Sequence, residues 1–198
     1  MSGYTMTQGE LLYCLPAAVT RNSYTTIVPI SGIATTGTVG RCIVPANYFN
    51  AAGKAIYYRA RGTLQSAAGT ATFSFTGGLD STGGTLGKTL FATANLTPAT
   101  GTIVFDIEGD ITCQVVGQAN STLASNGTVR TAGTTANGWI TTVNPTGGAL
   151  VGDQMLFSNS ITTLDYEVNQ YLELFSTCSA SSATNQIILQ QFKVYGEN

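Results

Sequence analysis

From Ile103 to Val116 the chain switches side-chain character at almost every step. Phe105, Ile107, Ile111, Cys113 and Val115 fall on one side of the alternation, and Asp106, Glu108, Asp110, Thr112 and Gln114 on the other. A period of two is that of an extended strand, whose successive side chains point to opposite faces, and no helix sorts these residues. The segment therefore predicts a long strand with one face in a core and the other in water. At about 3.3 Å per residue it would reach roughly 35 to 45 Å, and Gly109 is the expected place for a bulge or bend within it.

The same grammar recurs in Ser23 to Ile30, Val39 to Val44, Ala55 to Thr63, Ala71 to Thr76, Thr85 to Phe91, Thr128 to Ala132, Gly138 to Val143, Ser160 to Leu164, Gln170 to Cys178 and Gln186 to Tyr195. Most of these are rich in Thr, Val, Ile, Tyr or Phe and bounded by Gly, Asn, Asp or Ser. No stretch holds the apolar spacing of a helix, and 23 glycines interrupt nearly every window long enough for one. Ten or so short strands without helices argue for an all-β fold of two packed antiparallel sheets, a jelly roll or related sandwich. Thr76 to Gly84 and Thr131 to Gly138 are expected turns, and Val116 to Gly127 a strand end followed by a polar loop. Asn144 to Asp153 is the longest expected loop, ahead of the apolar Met155-Leu156-Phe157.

No linker composition and no internal repeat divides the 198 residues, so residues 1–198 are expected to form a single β-sandwich domain. Residues 1–10 are polar, fitting an N-terminal arm that docks on a neighbour or a frayed terminus. The first residues lack the cationic start and apolar run of a secretory signal, and no eighteen apolar residues run together, so neither a leader nor a membrane partner is expected.

Charge is scarce. Hydrophobic residues make up 43% of the chain and charged residues only 9%, against about 25% in an ordinary soluble domain. A surface that is polar but barely ionic fits a protein whose outer faces are covered by partners; an extracellular or thermally robust β-domain is the alternative. Eight basic and ten acidic residues give a net charge of -2, and the basic ones are scattered, so counterion release offers no drive toward nucleic acid. Arg59-Ala60-Arg61 comes nearest to a patch, both arginines facing one side of a strand as a solvated or interface face. Cys14, Cys42, Cys113 and Cys178 lie far apart with no C-x-x-C pair, which favours buried free thiols over a zinc site or disulfide scaffold.

Histidine is absent, which removes the commonest general base and the commonest metal ligand together. Ser-His-Asp and Cys-His mechanisms are excluded, and no P-loop, dinucleotide-binding turn, H-E-x-x-H helix or EF-hand loop is present, so no catalytic residue, cofactor or metal is expected. The one catalytic hypothesis left is a carboxylate site on Asp106, Glu108 and Asp110. These share a strand face at about 6.5 to 7 Å spacing, compatible with an inverting glycosidase pair or a calcium site. The plainer reading is the wet face of an amphipathic strand. Asp165 and Glu167 beside Tyr166 invite the same thought. Tyr48, Tyr57, Tyr58, Tyr166, Tyr171 and Tyr195 offer apolar rings with polar tips, for packing or for a sugar- or protein-binding platform, but Tyr57 and Tyr58 must face opposite ways.

The segment from Arg41 to Gly62, RCIVPANYFNAAGKAIYYRARG, has an apolar strand, a proline turn, an x-x-G-K and then I-x-x-R-A-x-G at Ile56, Arg59, Ala60 and Gly62. It resembles a recurring pattern of small jelly-roll-like virion structural proteins of tailed bacteriophages. Phe105 to Ile111 is similar to that family's paired long strand, and Asn185 to Val194 to its closing strand. The resemblance implies a non-enzymatic virion protein, commonly a capsid decoration on the exterior of the head, often a homotrimer, with the major capsid protein as partner and synthesis in the host cytoplasm. A tail or neck structural protein, or a carbohydrate- or receptor-binding jelly-roll module, is the alternative expectation.

Overall fold

The computed structural model describes residues 10–32, 40–66, 71–93, 95–96, 101–133, 150–151 and 154–197. Among them are β1 (Glu10–Cys14), β2 (Val19–Asn22), β3 (Val28–Pro29), β4 (Cys42–Val44), β5 (Ala55–Ser66), β6 (Phe73–Asp80), β7 (Lys88–Ala92), β8 (Gly101–Val115), β9 (Ser121–Gly133), β10 (Leu150–Val151), β11 (Gln154–Leu164), β12 (Gln170–Cys178) and β13 (Gln186–Glu197). No described residue is helical. The first nine residues, the expected strand at Gly138 to Val143 with Trp139, and most of the expected loop at 144–153 lie outside the described residues.

The strands form two antiparallel sheets. The larger has eight strands, in the order β1-β13-β5-β8-β9-β11-β10 with β2 also on β13; the smaller has five, in the order β3-β12-β6-β7 with β4 also on β12. The two pack face to face as the expected β-sandwich. The expected closing strand, β13, is an interior strand of the larger sheet, with β5 on one side and β1 and β2 on the other. β5 and β8 pair without a register shift from Ala55 opposite Thr112 to Ser66 opposite Gly101.

Burial follows the pleat. Along β5 the residues Ile56, Tyr58, Ala60 and Leu64 are buried, and Ile103, Phe105, Ile107 and Ile111 of β8 join them from the neighbouring strand. Phe73, Phe75, Leu79, Leu172 and Leu174 supply the smaller sheet's half of the core. Tyr58, Phe91 and Phe157 form a column of rings across the interior, with Phe91 and Phe157 stacked at 4.2 Å and Tyr58 and Phe91 at 6.4 Å.

Strand glycines make room for these rings. Gly109 is not a bend: β8 runs straight through it, paired with Tyr58 and Gly127. A Cβ there would lie 2.6 Å from the Tyr58 hydroxyl and 2.7 Å from the Asn126 carbonyl oxygen. The bulge of this strand falls between Cys113 and Val115, which turns Val115 out of the core face and leaves it 55% exposed. In the I-x-x-R-A-x-G segment, Gly62 has the same role: a Cβ would meet the Ile188 carbonyl oxygen and, at 2.6 Å, the Phe105 ring, while Ile56 and Ala60 are fully buried beside it.

Other expectations shift. Gly77 and Gly78 are not turn residues but belong to β6, and the turn begins after Asp80. Ser121 to Gly127 is not loop but the first half of β9, with small Ser121 and Ser125 buried alongside Leu123. Ser23 to Ile30 contributes only the two residues of β3, whereas β1 and β2, in a stretch without clear alternation, add to the larger sheet's edge. Cys42, Cys113 and Cys178 are buried free thiols as expected, but Cys14 is exposed.

The two outer faces differ. On the smaller sheet the outward residues Glu173 and Phe175 are buried as deeply as the core. Arg41 pairs with the Glu173 carboxylate, and the Gly84 amide donates to Glu173 Oε2 at 2.6 Å, so residues 81–87 lie over this sheet. Nearby, the Tyr13 hydroxyl donates to the Gly40 carbonyl oxygen at 2.6 Å, and burial pushes its pKa up to about 12. On the flank where β7 and β11 meet, the sheets are joined by side chains: Asn159 Nδ2 donates to the Thr89 carbonyl oxygen at 2.8 Å, and Lys88 Nζ to Thr163 Oγ1 at 2.7 Å.

Candidate functional site

The outward face of the larger sheet gathers charged side chains of four strands into a lattice. Alternation on each strand and the register between strands place Lys193, Arg59, Glu108 and Thr128 in one row across β13, β5, β8 and β9, and Gln191, Arg61, Asp106 and Arg130 in the next. A third row holds Tyr195, Tyr57, Asp110 and Asn126. The expectation that Asp106, Glu108 and Asp110 share a face therefore holds, as does that for Arg59 and Arg61.

What surrounds the carboxylates sets their chemistry. Arg59 Nε donates to Asp106 Oδ1 at 3.0 Å and its Nη2 to Oδ2 at 2.5 Å, a two-pronged pair, and Arg61 Nε donates to the same Oδ2 at 3.0 Å. Partial burial pushes the Asp106 carboxyl upward, but the hydrogen bonds and charge of Arg59 and then Arg61 outweigh it and hold the group below the usual carboxylate range. Glu108 accepts from Arg130 Nη2 at 2.8 Å and from the Tyr57 hydroxyl at 3.3 Å. A general acid in a glycosidase needs a carboxyl held protonated near neutrality; Asp106 is driven the other way. Among the described residues no three acidic or thiol side chains converge to hold a metal ion.

Among the polar side chains around this lattice, the apolar Leu11, Val104 and Leu156 are each about half exposed, at 53, 48 and 46%. Arg61, Val104, Phe105, Asp106, Arg130 and Thr131 line a groove of about 330 Å³. Sequence reasoning did not find Arg130, Lys193, Leu11 or Leu156 as part of this face. Arg130 carries a signal only once the β8–β9 register is known, because it sits opposite Asp106.

The tyrosines do not gather in one place. Tyr58 is fully buried, whereas Tyr57 and Tyr195 lie together on the outward face with ring centroids 6.4 Å apart. Tyr48 packs edge-on against Phe49, its hydroxyl donating to the Ala55 carbonyl oxygen at 2.8 Å, and Tyr166 packs against the core. Tyr171 is on β12 of the smaller sheet, so the six form no single platform. Asp165 and Glu167 lie on the turn after β11: Asp165 Oδ1 accepts the Glu167 amide at 2.9 Å, and Glu167 accepts from Gln118.

No family model matches the chain, and no curated protein matches it. Among solved structures, the CBM2 module of the evolved Dit of Lactobacillus casei BL23 phage J-1 aligns over 96% of this chain and 97% of its own, at 9% identity and a TM-score of 0.36. A legume lectin-like domain from Entamoeba histolytica aligns over 92 and 91%, at 8% identity and a TM-score of 0.27. Both scores lie below the level that chains of one fold reach, so function is argued from this chain's own residues.

Proposed function

We propose that this chain is a non-enzymatic structural protein of a tailed-phage particle, a capsid decoration that binds the outer surface of the assembled head and stabilises it as a homotrimer. The observation that carries the reading is the asymmetry of the two outer faces. The smaller sheet is covered around Glu173 by the chain's own residues 81–87, with Ile43 exposed beside them, while the larger sheet presents exposed Leu11, Val104 and Leu156 around an ion-pair lattice.

Such a face is suited to burial against a partner. Asp106 and Glu108 already have arginine partners within the chain, so covering them leaves few uncompensated charges, and arginine and tyrosine are the residues that protein interfaces favour. Threefold assembly would engage several capsid subunits at once, so modest contacts multiply. The resemblance carried by Ile56, Arg59, Ala60 and Gly62 supports the same class of role: these residues build the strand that presents Arg59 and Arg61.

The test is the composition of the purified particle. The chain is expected at fixed copy number on the head, and heads lacking it are expected to rupture at lower temperature, with restoration by added wild-type chain but not by a Val104→Asp, Leu156→Asp variant. Absence of the chain from the particle overturns the proposal; location on tail or neck overturns the decoration role.

A further inference from the structure

A second site lies at one end of the sandwich, away from the open face. Leu79 and Asp80 at the end of β6, Lys88 at the start of β7, and Asp165, Val168 and Gln170 around the β11–β12 turn surround a cleft of about 340 Å³. That volume is within the range of small-ligand pockets, about 300 to 1,000 Å³. We propose that this cleft binds a neutral, hydroxyl-rich ligand: one sugar unit of a glycan.

The polar groups are set in place by the chain and left with capacity to spare. Asp80 Oδ1 accepts the Thr82 amide at 2.6 Å and Asp165 Oδ1 accepts the Glu167 amide at 2.9 Å, whereas Oδ2 of each carboxylate has no hydrogen bond among the described residues. Gln170 is oriented in the same way: its Nε2 donates to the Asp165 carbonyl oxygen at 2.8 Å, and its Oε1 remains an open acceptor. Gly87 is part of the design, because a Cβ on it would overlap Asp80 Oδ2.

On the other wall stands Thr163, a β-branched residue with φ of 63°, a backbone conformation that such residues rarely adopt. It lies within the irregularity of β11 between Ile161 and Leu164, and its hydroxyl accepts the Lys88 ammonium. Strain of this kind persists where the surroundings over-determine it, and it clusters at ligand sites.

Charge selects the ligand class. Two carboxylates disfavour an anion, and the Lys88 ammonium in the same cleft disfavours a cation. Three open acceptors beside one ammonium suit hydroxyl groups, each able to donate to a carboxylate oxygen and to accept from the ammonium. The side chain of Val168, 40% exposed, supplies apolar surface for the C–H face of the ring. The inference does not depend on the docking role of the larger sheet.

Its test is binding of the purified full-length chain to an immobilised panel of neutral hexose and N-acetylhexosamine oligosaccharides, without added metal. At least one glycan is expected to be retained. Asp80→Asn and Asp165→Asn keep the oxygen that anchors the turn and are each expected to weaken retention roughly 10-fold or more, the effect of losing a charge-assisted hydrogen bond. Gly87→Ala, which displaces the Asp80 carboxylate, is expected to act likewise, and Val104→Asp on the outer face is expected to leave retention unchanged. Lys88→Met probes the opposite wall should either acid variant fail to fold. Retention of no glycan, retention indifferent to the cleft variants, or retention only with added calcium overturns the proposal.

Discussion

The Tyr58 hydroxyl occupies the space that a side chain on Gly109 would need, 2.6 Å from where its Cβ would stand. The two residues face each other across the β5–β8 ladder, and the contact lets Tyr58 reach into the column with Phe91 and Phe157. Gly109→Ala is therefore expected to cost about 1 to 3 kcal/mol of stability, the range for overpacking a filled core. Adding Tyr58→Phe should return part of that loss, with the Asn126 carbonyl contact accounting for the rest. Urea unfolding of the single and double variants measures both; an unchanged midpoint in Gly109→Ala refutes the packing account.

Glu173 is 1% exposed and balanced by Arg41 and the Gly84 amide. Glu173→Gln leaves the buried guanidinium without its counter-charge, and breaking such a pair from one side typically costs about 3 to 5 kcal/mol. Because the same carboxylate holds residues 81–87 over the smaller sheet, limited proteolysis of this variant should cut within 81–87 before it cuts elsewhere. Replacing both partners with apolar residues should destabilise less than Glu173→Gln alone.

Asp106 predicts an acid-side dependence of stability. Its folded pKa is lowered, so its pairing with Arg59 and Arg61 stabilises the fold above the unfolded carboxyl pKa of about 4 and is lost as pH falls through the folded value. The group is partly solvated, so the contribution is no more than about 1 kcal/mol. Asp106→Asn should flatten the decline in melting temperature below about pH 4 and lower stability slightly at pH 7; parallel profiles for the two proteins would contradict the pairing.

On the open face, Val104→Asp and Leu156→Asp are solvent-side changes expected to shift stability by less than about 0.5 kcal/mol while abolishing attachment to heads. Calorimetry and a sedimentation assay with stripped particles separate the two effects. Loss of attachment accompanied by unfolding would remove the support for a docking face.

Much of this was legible in the chain. The alternation of Phe105 to Ile111 announced an amphipathic strand, and it set Asp106, Glu108 and Asp110 on one face before any register was known. Register was the missing quantity. Neither Arg130 opposite Asp106 nor Tyr195 beside Tyr57 can be read from local pattern, because each depends on which strands become neighbours. Glycine misled for a related reason. Gly77 and Gly78 have the local signature of a turn and Gly109 that of a bend, yet their small size accommodates side chains from elsewhere in the fold: Phe91 over Gly77, Leu86 over Gly78 and Tyr58 at Gly109. Ser121 to Gly127 reads as too polar for a strand because two of its inward positions are filled by the small hydroxyls of Ser121 and Ser125, on either side of Leu123. The end cleft was invisible since Asp80 and Lys88 flank one turn and Asp165 lies on another, far away in sequence.

The flank between β7 and β11 has a consequence for how the sandwich breathes. Within each sheet a strand can leave only by unzipping a row of main-chain bonds, but the Asn159 bond to Thr89 and the Lys88 bond to Thr163 are side-chain latches across the layers. Releasing the two latches leaves the stack of Phe91 on Phe157 as the tie between these strands, while both ladders stay intact. The amides of β7 should therefore exchange with deuterated water sooner than those of β8, and Asn159→Ala should widen the difference. The rim is thus held by exposed polar bonds, and the centre of the sandwich by buried rings.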